Sequence, residues 1–229
     1  MRNLIMTIKS WNIENARALQ RQDDKNAWHI ITTPEEFTLK KVSEINPNYI
    51  FAPHWSWIIP KEIWRNYETI VFHSTDLPYG RGGSPIQNLI ARGVYQTKIS
   101  ALKVEKGLDT GPIYMKEDFE ISKGNVDEIL QRGSKIIFEK MIPQIIKNRP
   151  QPQPQEGEPT TFSRRTPDQG NLLLLQDPTS RKLYDLIRML DGEGYPAAYI
   201  PLDRSRLEFY DTSLKEGQLQ CKTRHIENE

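Results

Sequence analysis

Apolar residues follow two rhythms along this chain. Short apolar runs alternate with stretches whose apolar positions recur every three or four residues, the habit of a parallel α/β sheet with helical crossovers. Leu4 to Ile8 reads as a first strand, Asn12 to Gln22 as the helix after it, and Trp28 to Thr32 as a second strand. Pro34 suits the first turn of the next helix, which should end near Asn46 and Pro47. Tyr49 to Ala52 and Thr69 to His73 are a third and a fourth strand, and Thr97 to Val104 and Ile113 to Ile121 are longer ones flanking a turn. From Asn125 to Lys147, the residues Val126, Ile129, Leu130, Ile136 and Ile137 keep the spacing of a buried helical stripe.

That helix must stop before Arg149 and Pro150. Pro150, Pro152 and Pro154 then alternate with glutamines, so this segment is extended and stiff, a connector or an arm laid along the surface. Further on, Leu183, Leu186, Ile187 and Leu190 mark one more amphipathic helix, and Tyr195 to Leu202, Arg206 to Tyr210 and Gln218 to Lys222 read as short strands. The expected layout is α/β: a Rossmann-like domain with a mostly parallel sheet over 1–148, a Pro-rich connector over 149–160, and a small α+β C-terminal segment over 161–229.

Composition narrows the function classes. The 31 Lys and Arg against 30 Asp and Glu leave a formal net charge of +1, which gives no electrostatic footprint for nucleic acid or an anionic membrane. Cys221 is the only cysteine, so no intrachain disulfide can form and a reducing compartment is expected. No apolar run is long enough for a signal-peptide core or a membrane span, so a cytoplasmic location is expected. After the first strand, Ile8-Lys9-Ser10-Trp11 has no glycine that would let a dinucleotide pyrophosphate approach the backbone, and no phosphate-binding loop is present. An NAD or ATP enzyme is excluded on those grounds, and no metal is expected.

Two loops carry candidate chemistry. His73 ends the fourth strand, ahead of Ser74-Thr75-Asp76-Leu77-Pro78-Tyr79-Gly80-Arg81-Gly82-Gly83-Ser84-Pro85-Ile86-Gln87. Ligands of open α/β sheets bind outside the carboxyl ends of the strands, where an imidazole can move protons or stabilise negative charge. Ser84, Pro85 and Gln87 match an N-cap, a first-turn proline and a reciprocal capping glutamine. Asp109 lies in Gly107-Leu108-Asp109-Thr110-Gly111, either a turn aspartate bonded to its own backbone or a carboxylate partner for His73.

The stretch from His73 to Gln87, followed by Gly107-Leu108-Asp109-Thr110-Gly111-Pro112-Ile113, resembles the formyltransferase family of methionyl-tRNA, glycinamide ribonucleotide and sugar formyltransferases. Weaker likeness runs through Phe162-Ser163-Arg164-Arg165-Thr166-Pro167, Leu186-Ile187-Arg188 and Tyr195-Pro196-Ala197. The resemblance implies a Rossmann-like formyl-transfer domain and 10-formyltetrahydrofolate as donor. It implies that His73 and Asp109 are catalytic, with Leu77, Gly107, Leu108 and Thr110 near the pterin. The family usually has an asparagine two positions before the histidine, where this chain has Val71; His54 is the nearest candidate substitute, and Asn88, on the following helix, is another. Trp57, with Trp55, either flanks the folate ring or packs.

The later motifs look like those of sugar formyltransferases, which implies a nucleotide-linked amino sugar as acceptor, no nucleic acid or membrane partner, and a possible homodimer. On that basis Tyr79, Arg81, Gly82, Gly83, Phe162, Arg164, Arg165, Arg188 and Tyr195 are expected at the acceptor. A transfer-RNA acceptor is disfavoured by the charge balance and by a C-terminal portion that looks short for the family's separate barrel. An aminoacyl or peptidyl amine, a hydrolase that deformylates the folate, and a non-catalytic folate- or sugar-binding protein remain as alternatives.

Overall fold

The structure, a computed structural model, describes residues 1–227; Asn228 and Glu229, the end of the 161–229 segment, lie outside the described residues. The chain forms two compact units, each discontinuous in sequence. One comprises Met1–Arg81, Lys98–Phe119 and Gln131–Thr161, and the other Gly82–Thr97, Glu120–Leu130 and Phe162–Glu229.

The elements run β1 (Arg2–Met6), α1 (Ser10–Gln22), β2 (Ala27–Ile31), α2 (Leu39–Ile45), β3 (Tyr49–Ala52), α3 (Lys61–Trp64), β4 (Thr69–His73), β5 (Arg81–Gly82), α4 (Pro85–Ala91), β6 (Gln96–Lys103), β7 (Ile113–Glu120), α5 (Val126–Ile136), α6 (Ile142–Asn148), β8 (Thr161–Phe162), α7 (Ser180–Arg188), β9 (Ala198–Pro201), β10 (Ser205–Lys215) and β11 (Gln218–Glu227). The first unit is organised by a six-stranded sheet in the order β2-β1-β3-β4-β6-β7. The first four strands are parallel, and β6 runs antiparallel to β4. Leu4, Ile5 and Met6 are fully buried, as a parallel strand covered on both faces requires. The sheet is thus the largely parallel α/β sheet that the apolar runs predict.

Several boundaries differ from the sequence pattern for local reasons. The first strand ends at Met6, because Lys9 takes a positive φ of 67° and turns the chain directly into α1. Pro34 heads only a 3-10 turn; the helix proper starts after Thr38, whose side chain accepts the Lys41 N–H. The long helix predicted over 125–147 is interrupted by a π turn at Ile137–Met141. Pro143 explains this, since it has no N–H for the i−4 carbonyl and its ring would crowd that group.

The Pro-rich arm is held by more than proximity. Gln153 exchanges both backbone hydrogen bonds with Ile113 on β7, the last strand of the sheet. Proline at every second position leaves the intervening glutamines free to donate.

The second unit carries α4, α7 and an antiparallel sheet in the order β11-β10-β9, with α7 packed on β10. The β10–β11 pair is far longer than the two short strands predicted, because its solvent-facing polar residues hide the alternation. A bulge between Tyr210 and Ser213 interrupts it.

Candidate active site

His73 closes β4 and is 8% exposed. Its Nε2 lies 2.8 Å from the Gly80 carbonyl, so that nitrogen carries a ring proton and donates it there. Nδ1 faces Asp109 Oδ2 at 3.5 Å. Two loops that are remote in sequence therefore bring an imidazole and a carboxylate together.

The Asp109 turn is shaped by its glycines and then tied down. Asp109 itself takes a φ of 53°, a conformation that aspartate tolerates better than most residues. A Cβ on Gly111 would stand 1.8 Å from the Lys103 carbonyl oxygen, so only glycine lets the turn press against β6. Gln155, from the Pro-rich arm, donates to the carbonyls of Asp109 and Gly111, both at 2.8 Å. Its side-chain oxygen accepts two bonds from Arg81, from Nε at 3.0 Å and Nη2 at 2.7 Å. Thr160 of the same arm accepts the Gly80 N–H on its hydroxyl at 2.7 Å and the Arg81 N–H on its carbonyl at 2.9 Å. One arm thus fixes the carbonyl that His73 faces and the turn that carries Asp109. Arg81, expected at the acceptor, has its guanidinium edge on Gln155.

The loop after His73 is ordered from β6. Ser100, opposite His73 in the strand register, donates to the Thr75 carbonyl at 2.7 Å and receives the Leu77 N–H at 3.4 Å. Lys116 donates to the Leu77 carbonyl and pairs with Asp76. Both backbone groups of Leu77, expected near the pterin, thus have protein partners already. Its side chain is fully buried and the Leu77–Pro78 bond is cis. Leu108, next to Asp109, is 68% exposed, an apolar side chain held at the edge of the pair. Thr110 folds back to the Lys106 carbonyl. Gly107 has a positive φ of 116°. Tyr79 is partly exposed, and Trp57 is exposed with its ring 5.0 Å from that of Trp55. No local sequence pattern marks Ser100 or Lys116, and the alternation of proline and glutamine is the one signal near Gln155 and Thr160.

Val71 packs against the core cluster that contains Leu4, Met6 and Ile50, so the position of the family asparagine holds a core side chain. Ala52 pairs with Val71 in the parallel register, and two residues beyond that pair stand His54 and His73. The His54 ring is half-buried and meets Trp11 edge to face at 5.2 Å. Its Nδ1 is shut off from solvent with no hydrogen-bond partner among the described residues. Burial holds its pKa down at about 4. A histidine whose folded pKa lies below its unfolded value favours the folded state in its neutral form. Stability is therefore expected to fall as pH drops from about 6.5 to about 4, by on the order of 2 kcal/mol after allowance for partial exposure. Denaturant titrations of the wild type and His54→Gln at pH 7 and pH 4.5 check this: the variant should lose less on acidification, and equal losses would contradict it.

In the second unit, Ser84 heads α4 but in a left-handed conformation, φ 48°, with no capping bond from its side chain. Its hydroxyl instead accepts the Arg165 N–H at 3.1 Å, and Gln87 donates to the Met189 carbonyl, so the expected capping box does not form. A Cβ on Gly83 would meet the Arg164 Cα at 2.7 Å, which ties that glycine to close packing. Gly82 has a positive φ of 103° in the short β5–β8 pair.

Of the residues expected at an acceptor, Arg188 and Phe162 are buried and Tyr195 is half-buried. Arg188 is 1% exposed, pairs with Asp185 at 2.7 Å, and donates to the carbonyls of Ile121 and Gly124. Phe162 is buried with the Arg92 guanidinium 4.6 Å above its ring. Burial raises the pKa of the Tyr195 phenol, whose partner is Gln87. Arg164 is exposed, and Arg165 is half-buried with Nη2 on the Gln169 carbonyl.

Among the described residues, no helix is long and apolar enough to cross a membrane, and no group of three His, Cys, Asp or Glu could hold a metal ion. Cys221 is half-buried on β11 with its thiol pKa raised by burial, which does not suit a nucleophile.

Comparison with known proteins agrees with the geometry. A family profile described as formyl transferase matches residues 16–146, and one described as methionyl-tRNA formyltransferase, C-terminal domain, matches residues 167–226. The chain is 30% identical over 185 residues to a methionyl-tRNA formyltransferase from Thermodesulfovibrio yellowstonii, an alignment covering 78% of this chain and 59% of that relative. A solved structure described as methionyl-tRNA formyltransferase from Clostridium thermocellum superposes with a TM-score of 0.95 at 52% identity, covering all of both chains. A sugar N-formyltransferase from Shewanella sp. FDAARGOS_354 superposes with a TM-score of 0.68 at 16% identity, over 99% of this chain and 98% of that one, a likeness of fold alone.

These likenesses correct two expectations: the nucleotide-linked amino sugar, and the absence of a nucleic-acid partner. The relatives similar in sequence are named for methionyl-tRNA, and the sugar enzyme is similar only in fold. Within the short motifs over 162–197, Phe162 and Arg188 are taken up by packing.

Proposed function

The chain belongs to the formyl transferase family, and from that premise we propose that it moves a formyl group from 10-formyltetrahydrofolate to the amine of methionine esterified to transfer RNA. The observation that carries this reading is the His73–Asp109 pair at 3.5 Å, set by two loops outside the sheet's core. In this reading 1–148 supplies formyl transfer, 161–229 engages the acceptor, and 149–160 joins them.

The donor supplies a carbonyl carbon bonded to a nitrogen that leaves with a proton. Exposed Leu108 beside Asp109, and exposed Trp57, fit the flat face of such a donor. As the amine attacks, negative charge develops on the formyl oxygen. The His73 Nε2–H can exchange the neutral Gly80 carbonyl for that stronger acceptor, a bond worth more in the transition state than in the ground state. Donors of this kind contribute roughly 3 kcal/mol. Asp109 holds the other edge of the imidazole and takes part in passing the amine's proton to the departing nitrogen. His54 enters as a neutral second ring with an unpartnered Nδ1.

The test is transfer itself. With 10-formyltetrahydrofolate, the protein should formylate methionyl-tRNA with kcat/KM at least ~100-fold above that for free methionine, because remote contacts with the RNA raise transition-state binding. Equal use of free methionine, or loss of formyl from the folate at the same rate without any amine, would overturn the reading.

A further inference from the structure

The second unit holds a cleft of about 730 Å³ whose lining includes none of His73, His54 and Asp109. That volume suits a small-molecule-sized guest, roughly 300–1,000 Å³ being the ordinary range. Four cations reach it from separate parts of the sequence: Arg92 just after α4, Arg165, and Arg181 and Lys182 in α7. Leu174 and Leu175 form an apolar shelf beside them, and Leu174 is 67% exposed.

The charges in this cleft are unevenly matched. Arg181 pairs with Asp185 at 2.9 Å and also donates to the Tyr95 hydroxyl, while Asp185 is shared with buried Arg188. Arg92 donates only to the carbonyl and side-chain oxygen of Asn88, and Arg165 to the Gln169 carbonyl. Neither has a carboxylate partner among the described residues, although Asp168 also reaches the lining. The pKa of Arg165 is lowered, first by burial and then by the charge of Arg92. Arg165 is half-buried and Arg92 exposed at the rim. An anion placed between two guanidinium groups that repel each other relieves that repulsion, and a phosphate offers oxygens to both forks. An exposed leucine shelf alongside suits the flat face of a base or ribose.

We propose that this cleft seats one nucleotide of the acceptor RNA, with its phosphate on Arg92 and Arg165 and its base on the leucine shelf. This rests on the reading of the acceptor as an aminoacyl-tRNA. A net charge near zero is compatible with this, because four cations line the cleft against two carboxylates, Asp168 and Asp185.

Calorimetric titration of the full chain with adenosine 5′-monophosphate, adenosine and inorganic phosphate separately tests the cleft. The monophosphate should bind at least ~10-fold more tightly than either part, and Arg92→Gln with Arg165→Gln should weaken it at least ~10-fold. Leu174→Asp, at an exposed position where folding is not at risk, should weaken it as well. His73→Ala should leave it unchanged. In formylation assays the double variant should raise KM for methionyl-tRNA at least ~10-fold with kcat held within about threefold, the signature of lost uniform binding. Monophosphate binding that ignores both the double variant and Leu174→Asp overturns the site. An unchanged KM for methionyl-tRNA, with the monophosphate bound at the cleft, overturns the RNA assignment and leaves a free nucleotide as the guest. If the wild type fails to formylate methionyl-tRNA at all, the functional reading falls instead and this assignment of the nucleotide to RNA falls with it, while the titrations still judge the cleft.

Discussion

Replacing His73 by alanine is expected to lower kcat/KM for formyl transfer by at least ~100-fold, with Asp109→Asn close behind, the scale for losing an oxyanion donor or a general acid–base partner. Alanine removes the N–H that faces the Gly80 carbonyl at 2.8 Å and the ring nitrogen that faces the Asp109 carboxylate at 3.5 Å. Asparagine at 109 keeps the shape but removes the charge that stabilises an imidazolium. Because the two residues act through one ring, the double variant should be hardly slower than His73→Ala alone. Folding should survive both changes, since neither residue belongs to the apolar clusters of the sheet. Turnover and a thermal melt on the same preparations separate the two effects. Near-normal turnover in His73→Ala would remove this pair from the mechanism.

Much of the frame behind that pair was legible in the residues. Tyr49–Ala52 and Thr69–His73 form strands with the predicted ends, because continuous apolar runs bounded by turn residues leave few alternatives. The glycines bracketing Asp109 marked a turn, and the turn is there. The rest depended on contacts that no local pattern carries. Arg188 reads as an available fork, yet it is buried on Asp185 and two carbonyls, since α7 turns it inward. Arg92, Arg165 and Arg181 are scattered in sequence and share a cleft only through the fold. Val71 stands at a position where the resemblance called for an amide, and the strand's core-facing register gives it to the apolar cluster.

Gln155 is the sharpest case of an invisible residue, and its replacement by glutamate should cost about 10- to 100-fold in kcat, in line with the effect of small misplacements of a catalytic group. Its amide makes four bonds: two donated to the carbonyls of Asp109 and Gly111, and two accepted from Arg81. Glutamate has the same shape and still satisfies Arg81. It cannot donate, and it turns a negative oxygen towards two carbonyl oxygens, so the Asp109 turn must shift away from His73. Gln155→Ala merely deletes the tie and should be milder than Gln155→Glu. Because Gln155 acts through Asp109 and touches no reacting atom in this reading, it is a positioning residue. Its loss should lower kcat while KM for methionyl-tRNA stays within about threefold, and it should do little once Asp109 is already asparagine. A thermal melt within a few degrees of the wild type is expected, since the arm remains paired to β7 through the backbone of Gln153. Steady-state kinetics of Gln155→Glu, Gln155→Ala and Gln155→Glu with Asp109→Asn decide the matter: a full additive penalty in the last variant, or wild-type kcat in the first, would show that the arm does not set the geometry of the pair.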